Sequence, residues 1–187
     1  MKRDIYPKLL QWKSSPRRKP LLLQGARQTG KTFILKEFGR NEYSNTVYCN
    51  FEETSDLDRL FRNDLNPDRI LAELSIYMNL EIRPESDLII FDEIQISNRA
   101  LNSLKYFAEQ RADVHMVAAG SLLGVKLSGP GSFPVGKVNF LHLYPLTFLE
   151  FLVALEESRY RQLLVNTDNY VPLTEAFHLH LIDLLRR

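Results

Sequence analysis

The sequence predicts an α/β fold in which a parallel sheet of five strands packs between helices. Segments with strand-like apolar runs alternate with segments of helical periodicity along most of the 187 residues. Residues 88–91 are four consecutive apolar residues, a pattern typical of a strand buried on both faces of a parallel sheet. A glycine-bounded loop joins the first strand candidate to a helix candidate, which is the connection expected in such a fold.

The strand candidates are short runs rich in apolar, β-branched and aromatic residues. They cover residues 20–24, 46–51, 87–92, 114–119 and 138–143. Pro20 is tolerated because it opens the first strand. Cys49, the single cysteine of the chain, is interpreted as a small buried hydrophobic residue of the second strand.

The helix candidates carry apolar residues at helical spacing. They cover residues 4–13, 33–38, 56–65, 67–80, 98–111, 148–155 and 171–187. Gly39 is expected to end the second of these helices, and Thr147 to begin the sixth. Residues 124–137 are rich in Gly, Pro and Ser and predict a mobile loop.

The loop between the first strand and its helix contains the phosphate-loop (Walker A) pattern G-x-x-x-x-G-K-[ST]. Gly25 and Gly30 permit a positive φ or a close approach of the ligand. Loop amides and the helix N-terminus can then bind phosphate. Lys31 is expected to reach the β- and γ-phosphates, and the Thr32 hydroxyl to ligate Mg²⁺. The predicted nucleotide-binding residues here are Gly25, Ala26, Arg27, Gln28, Thr29, Gly30, Lys31, Thr32 and Phe33.

Two adjacent carboxylates, Asp92 and Glu93, end the apolar third strand candidate. After an upstream phosphate loop this arrangement is typical of a Walker B motif. Asp92 is expected to bind Mg²⁺ through water and Glu93 to polarise the attacking water, with Lys31 as the second catalytic residue. A charged turn without chemistry is the alternative interpretation, and the upstream loop favours the catalytic one.

The fourth strand candidate ends in Gly120-Ser121. Because this strand is expected to lie beside the Walker B strand, Ser121 is a candidate contact of the γ-phosphate and a sensor of hydrolysis. Capping of the next short helix is the competing interpretation of Ser121.

The net charge of +1 does not predict a polyanionic partner, but the charge is unevenly distributed. Residues 1–40 contain eleven Lys and Arg against two Asp and Glu, so their balance is +9 and that of the remainder is −8. This basic quarter suits a phosphate ligand, and contact with nucleic acid is the alternative. No apolar run has the length of a membrane span and no signal peptide is recognisable, so a cytoplasmic location is expected.

Beyond the phosphate loop, several elements resemble the prokaryotic AAA+-type P-loop ATPases that are usually fused to a C-terminal domain of unknown function. They are the loop at 25–32, Asn50-Phe51-Glu52, Phe91-Asp92-Glu93-Ile94-Gln95, Gly120-Ser121, Phe133–Val138 and Leu143–Phe151. The resemblance covers roughly residues 1–160 and implies an ATP-binding domain there, followed by a helical extension over 161–187. It also implies that the chain is a fragment or a shortened member.

The resemblance implies a three-layer sandwich with the five-stranded sheet in AAA+ order, plus C-terminal helices. It further implies that the Walker B strand lies next to the phosphate-loop strand in space. Asn50 would hold the catalytic Glu93 until a partner binds. Members often carry Arg at the position of Lys137, where it would be a charge-stabilising finger, but lysine lacks the planar fork of arginine.

These observations favour a Mg²⁺-dependent ATPase whose hydrolysis drives a conformational change. The absence of an Asn-Lys-x-Asp guanine signature favours ATP over GTP. A nucleotide-dependent binding module with little turnover is the main alternative, and a small-molecule kinase is disfavoured by the Asp92-Glu93 pair. A protein partner or a homo-oligomer is compatible with either function, DNA is possible but not indicated, and no membrane partner is expected.

Overall fold

The computed structural model of the protein describes residues 3–121, 136–165 and 174–186. The chain divides into two compact units. The larger unit comprises Ile5–Pro145, and the smaller comprises Met1–Asp4 together with Leu146–Arg187. The predicted boundary near residue 160 falls within the smaller unit.

The described part of the larger unit is built on a parallel sheet of five strands. The strands are β1 (Leu21–Gln24), β2 (Asn45–Asn50), β3 (Asp87–Asp92), β4 (His115–Gly120) and β5 (Asn139–His142). Their order across the sheet is β2-β3-β4-β1-β5. The predicted α/β fold is therefore confirmed. The expectation that the Walker B strand neighbours the phosphate-loop strand is wrong, because β4 lies between β3 and β1.

Four α-helices of the larger unit accompany this sheet in the described residues. They are α1 (Tyr6–Ser14), α2 (Lys31–Glu42), α3 (Pro67–Tyr77) and α4 (Asn98–Gln110). Two 3₁₀ helices cover Ser55–Phe61 and Ile94–Ile96. The first of these replaces the longer helix predicted over 56–65.

Each face of the sheet has its own apolar core, as a three-layer arrangement requires. Successive strand residues alternate between the two cores: Leu22, Ile89 and Phe91 pack with α3 and α4, whereas Leu21, Leu23 and Ile90 pack with α1 and α2. All six residues of β3 are buried, because helices cover this strand from both sides.

Helix α2 continues past Gly39 to Glu42, so the prediction that Gly39 ends it is wrong. The amide of Tyr43 still donates to the carbonyl of Gly39 at 3.1 Å. A Cβ on Gly39 would lie 2.3 Å from Oγ1 of Thr46 on β2. The glycine therefore allows the helix to approach this strand closely rather than stopping the helix.

The smaller unit contains three described helices, α5 (Phe148–Ala154), α6 (Ser158–Val165) and α7 (Glu175–Leu185). Thr147 and Glu150 form a reciprocal capping box at the start of α5. Glu150 also accepts from Nε of Arg3 at 2.9 Å. Helix α6 was not predicted as a separate helix, although its second half lies in the helical extension expected over 161–187. None of its residues is fully buried, but Tyr160 and Leu164 pack against the apolar cluster of this unit.

Most of the predicted Gly/Pro-rich loop and the segment 166–173 lie outside the described residues. Within the described part, no helix combines the length and apolar character needed to cross a membrane.

His115, at the start of β4, generates a pH prediction. Its Nδ1 lies 2.8 Å from the hydroxyl of Tyr43, and its ring packs against that of Trp12. Burial lowers the pKa of His115 to about 4, with smaller contributions in the same direction from Arg18 and Lys13. Below about pH 6.5 the unfolded chain therefore takes up a proton that the folded protein takes up only near pH 4.

The free energy of unfolding is accordingly expected to fall between pH 7 and pH 4.5, with His115 contributing at most about 3 kcal/mol. Urea unfolding followed by the fluorescence of Trp12, the single tryptophan, measures this change. His115→Gln keeps a polar side chain but does not titrate in this range, so it should flatten the dependence. An unchanged slope in that variant would contradict the assignment.

Candidate nucleotide-binding site

The phosphate loop connects the end of β1 at Gln24 to the start of α2 at Lys31. Gly30 precedes the helix with φ of 91°, and Gln28 also has a left-handed backbone with φ of 63°. Left-handed residues in a loop allow successive N–H groups to point toward one anion. Gly30 meets this need without strain because it has no Cβ.

Gly25 is required for a different reason. A Cβ at this position would lie 2.4 Å from the carbonyl oxygen of Leu143, which follows β5. The amide of Leu143 in turn donates to the carbonyl of Gln24 at 2.7 Å. In this structure the group that approaches Gly25 closely is therefore the backbone that follows β5.

Lys31 lies over the loop that precedes it. Its Nζ donates to the carbonyl oxygens of Gly25 and Ala26, at 3.0 Å and 2.7 Å. Burial lowers the pKa of Lys31, while the nearby carboxylates of Glu93 and Asp92 oppose that shift. The ammonium group is thus held beside the loop, where a phosphate oxygen can replace a carbonyl as its partner.

The two predicted metal ligands are in direct contact although sixty positions separate them in sequence. Thr32, in the first turn of α2, donates from Oγ1 to Oδ2 of Asp92 at 2.6 Å. Asp92 ends β3 and is 1% exposed. Its Oδ1 accepts the backbone N–H of Glu93 at 3.0 Å.

A hydroxyl and a carboxylate side by side are hard oxygen ligands of the kind that Mg²⁺ prefers. The described residues contain no cluster of three or more His, Cys, Asp or Glu that could hold a metal ion. Magnesium is commonly bound through one or two protein ligands, waters and phosphate oxygens rather than by an all-protein cage. Thr32 and Asp92 therefore fit a magnesium ion that arrives with a nucleotide.

Glu93 follows directly in a left-handed conformation with φ of 51°. Its carboxylate accepts a hydrogen bond from Nε2 of Gln95. The 3₁₀ turn Ile94–Ile96 brings these two side chains together, and Gln95 is itself buried. Sequence reasoning used Gln95 only as part of a resemblance and did not predict this contact.

Asn50 does not make the contact with Glu93 that the resemblance implied. Its Oδ1 accepts the backbone N–H groups of Glu52 and Glu53, at 2.9 Å and 3.4 Å. Its Nδ2 donates to the hydroxyl of Tyr48 at 3.4 Å. The partner of Glu93 is Gln95, which is closer because it shares the turn that follows β3.

Ser121 follows β4, whose last residue, Gly120, pairs in register with Gln24 of β1. This places Ser121 at the same edge of the sheet as the phosphate loop. Its Oγ is buried and has no hydrogen-bond partner among the described residues. A buried hydroxyl at this edge fits the predicted contact with a phosphate oxygen. The alternative role as a helix cap concerns residues outside the described ranges.

Lys137 lies near the amino ends of the strands, whereas the phosphate loop lies at their carboxyl ends. It precedes β5, whose first residue, Asn139, pairs with Leu21 at the amino end of β1. The Lys137 ammonium forms an ion pair with Glu109 of α4 at 3.0 Å. It therefore does not reach the phosphate loop of its own chain.

An open pocket of about 530 Å³ lies in front of the phosphate loop. This size is within the usual range for small-molecule and cofactor sites. Its lining residues are Arg27, Gln28, Gly30, Lys31, Thr32, Phe33, Glu52 and Glu93. Phe33 is 58% exposed, so an apolar surface is available beside the phosphate-binding groups. Glu52 was not predicted as a site residue and is brought here by the turn that follows β2.

Comparison with known families identifies the larger group to which this site belongs. Residues 17–152 match the profile of a family described as AAA domain. The chain belongs to this family. The matched range includes the phosphate loop, Asp92, Glu93 and Ser121. AAA domains are nucleotide-binding ATPases in general.

Comparison with curated proteins finds no match. Among solved structures, a chain of the one titled "Structure of Drosophila ORC bound to DNA" has the same fold with a TM-score of 0.53. The two chains are 17% identical, and the match covers 86% of this chain and 48% of that one. The AAA domain described here thus spans about half the length of that chain.

The crowding at Gly25 generates a prediction. Gly25→Ala forces a Cβ against the backbone of Leu143, so either the loop or the end of β5 must move. We expect the affinity for a nucleotide to fall roughly tenfold or more, because displaced N–H groups no longer converge on the phosphates. Binding of the analogue AMP-PNP measures this loss.

Gly39→Ala is the matched control, since its Cβ crowds Thr46 in the same unit but away from the loop. It is expected to change thermal stability with little effect on AMP-PNP affinity. Equal affinity of Gly25→Ala and the wild-type protein would show that the loop does not need this close approach.

Proposed function

We propose that this AAA domain binds MgATP at the phosphate loop and hydrolyses it, and that hydrolysis drives a conformational change. The observation that carries the proposal is the direct contact of Thr32 with Asp92, beside a lysine held over the loop. A turn between a strand and a helix that binds no ligand does not require a contact between a buried carboxylate and a hydroxyl in the first turn of the helix.

The roles of the residues follow from their positions. The loop amides and Lys31 bind and orient the β- and γ-phosphates, and Thr32 and Asp92 hold the magnesium ion. When bound, the ion would supply positive charge next to the phosphate oxygens. Ser121 offers its hydroxyl to the γ-phosphate from the neighbouring strand end. Catalysis then rests on positioning and electrostatic stabilisation.

Glu93 is the proposed group that polarises the attacking water, accepting a proton at its carboxylate. In this conformation one carboxylate oxygen already accepts a hydrogen bond from Gln95. This hydrogen bond restrains the orientation of the carboxylate, and we propose that Gln95 thereby keeps Glu93 in a state of low activity until the side chain turns toward the water. ATP is proposed over GTP because the guanine signature is absent from the sequence.

The same contact supports the second candidate function, a nucleotide-dependent binding module with little turnover. In that case ATP orders a surface for a protein, a second copy of the chain or DNA. The ORC structure is titled as bound to DNA, but the likeness is one of fold alone. Tight MgATP binding with no phosphate release over hours would favour this candidate.

Lys31→Ala tests binding. Removal of the ammonium group should weaken AMP-PNP binding about 10- to 100-fold, the range expected for one or two charged hydrogen bonds. Lys105→Ala is the control, because Lys105 is an exposed residue of α4 outside the site and its removal costs the same charge. This variant should bind AMP-PNP as tightly as the wild-type protein does. If Lys31→Ala binds equally well, the phosphate loop is not the binding site.

Glu93→Gln tests hydrolysis. The variant keeps the size of the side chain, so nucleotide affinity should persist, while phosphate release should fall by about 100-fold or more because the general base is lost. Glu53→Gln serves as the control, because Glu53 is exposed and does not line the pocket. Wild-type turnover in Glu93→Gln would rule out the catalytic assignment.

A further inference from the structure

We propose that the hydroxyl of Tyr48 positions the Asp92 carboxylate for magnesium, which makes Tyr48 a positioning residue of the nucleotide site. This inference rests on the proposed function, because it assigns a role in binding the metal–nucleotide complex. It concerns a strand residue to which neither the phosphate-loop pattern nor the Walker B pattern points.

Asp92 is fixed by three hydrogen bonds from three different elements. Its Oδ2 accepts the hydroxyl of Thr32 at 2.6 Å and the hydroxyl of Tyr48 at 3.0 Å. Its Oδ1 accepts the backbone N–H of Glu93 at 3.0 Å. Two ionised oxygens offer about four lone-pair sites, so capacity for a metal or a bound water remains. The three donors determine which way the carboxylate faces.

The sheet register explains why Tyr48 reaches this carboxylate. In the parallel pairing of β2 with β3, Asn50 lies opposite Asp92 and Tyr48 lies opposite Ile90. Tyr48 packs with the core on the side of α2. Its hydroxyl therefore extends along β3 toward the strand end, while Cys49 faces the other core.

The ring of Tyr48 is held from the helix side. Nζ of Lys36 lies 3.5 Å from the ring centroid, within the range of a cation–π contact. Lys36 is one turn after Thr32 on α2, so the helix that carries the predicted metal ligand also clamps the tyrosine. The packing of α2 against β2 thus sets the directions from which Thr32 and Tyr48 approach Asp92.

The hydroxyl of Tyr48 acts as a donor in this arrangement. Asn50 donates to its oxygen, which leaves the phenol hydrogen to point at Asp92. The phenol is the donor in this contact because a carboxylate oxygen accepts hydrogen bonds. Groups that orient metal-ligating carboxylates commonly change metal affinity when they are removed.

Tyr48→Phe separates this role from simple packing, because phenylalanine keeps the ring and its contact with Lys36 but removes the hydroxyl. The measurement is the affinity for AMP-PNP in the presence of Mg²⁺ and, separately, with EDTA. The ratio of these two affinities measures how much the metal contributes to nucleotide binding. We expect Tyr48→Phe to lower that ratio about tenfold, with the affinity in EDTA unchanged.

Tyr43→Phe is the matched control. It also follows α2, and it also loses a hydroxyl contact, the one with His115 at 2.8 Å, but it is not a neighbour of Asp92. Its ratio should equal that of the wild-type protein. Thr32→Val, which removes a predicted ligand, should lower the ratio at least as far as Tyr48→Phe. Melting temperatures of the two Tyr→Phe variants show whether they fold.

A wild-type ratio in folded Tyr48→Phe would overturn the inference and leave the proposed function intact. Equal losses with Mg²⁺ and with EDTA would also overturn it, because they would indicate packing rather than metal positioning. If the wild-type protein binds AMP-PNP in neither condition, the proposed function fails and the inference fails with it.

Discussion

The hydrogen bond between Thr32 and Asp92 depends on the order of the strands in the sheet. Because β1 and β2 are separated by β4 and β3, the connecting helix α2 must cross over both of those strands. This crossing brings the first turn of α2 to the carboxyl end of β3. The remaining site residues follow because all strands are parallel and their carboxyl ends share one edge.

Burial makes the polar contacts at this edge mutually dependent. An ionised carboxylate buried without partners would be costly, and Asp92 is buried with both oxygens hydrogen-bonded. Lys31 likewise satisfies its ammonium group with loop carbonyls. These groups are therefore held in place in the described structure, and in the proposed function a phosphate and a metal would replace some of their present partners.

Glu93 differs from these preorganised groups. Its backbone is left-handed, and its carboxylate is engaged by Gln95 two residues later. The carboxylate of Glu93 thus has a hydrogen-bond partner of its own, although the backbone N–H of Glu93 binds Asp92.

The sequence alone predicted the phosphate loop, the terminal carboxylates of β3, the five strands and the α/β class, because these depend on local pattern. Residues 25–32 need only a strand before them and a helix after them, and residues 88–91 form the unbroken apolar run of a strand covered on both faces. The family resemblance came from short fixed segments of the same kind. Helix α6, whose apolar residues are at most partly buried, was not predicted as a separate helix.

Only the tertiary structure decided which of these segments meet. In the structure β4 lies between β1 and β3, and Lys137 lies near the amino ends of the strands, away from the phosphate loop. The hydrogen-bond partner of Glu93 is Gln95 and not Asn50. The structure also showed that Gly25 accommodates Leu143 and that Tyr48 reaches Asp92. These relations depend on strand order, register and close approach between residues distant in sequence, which local periodicity and spacing do not encode.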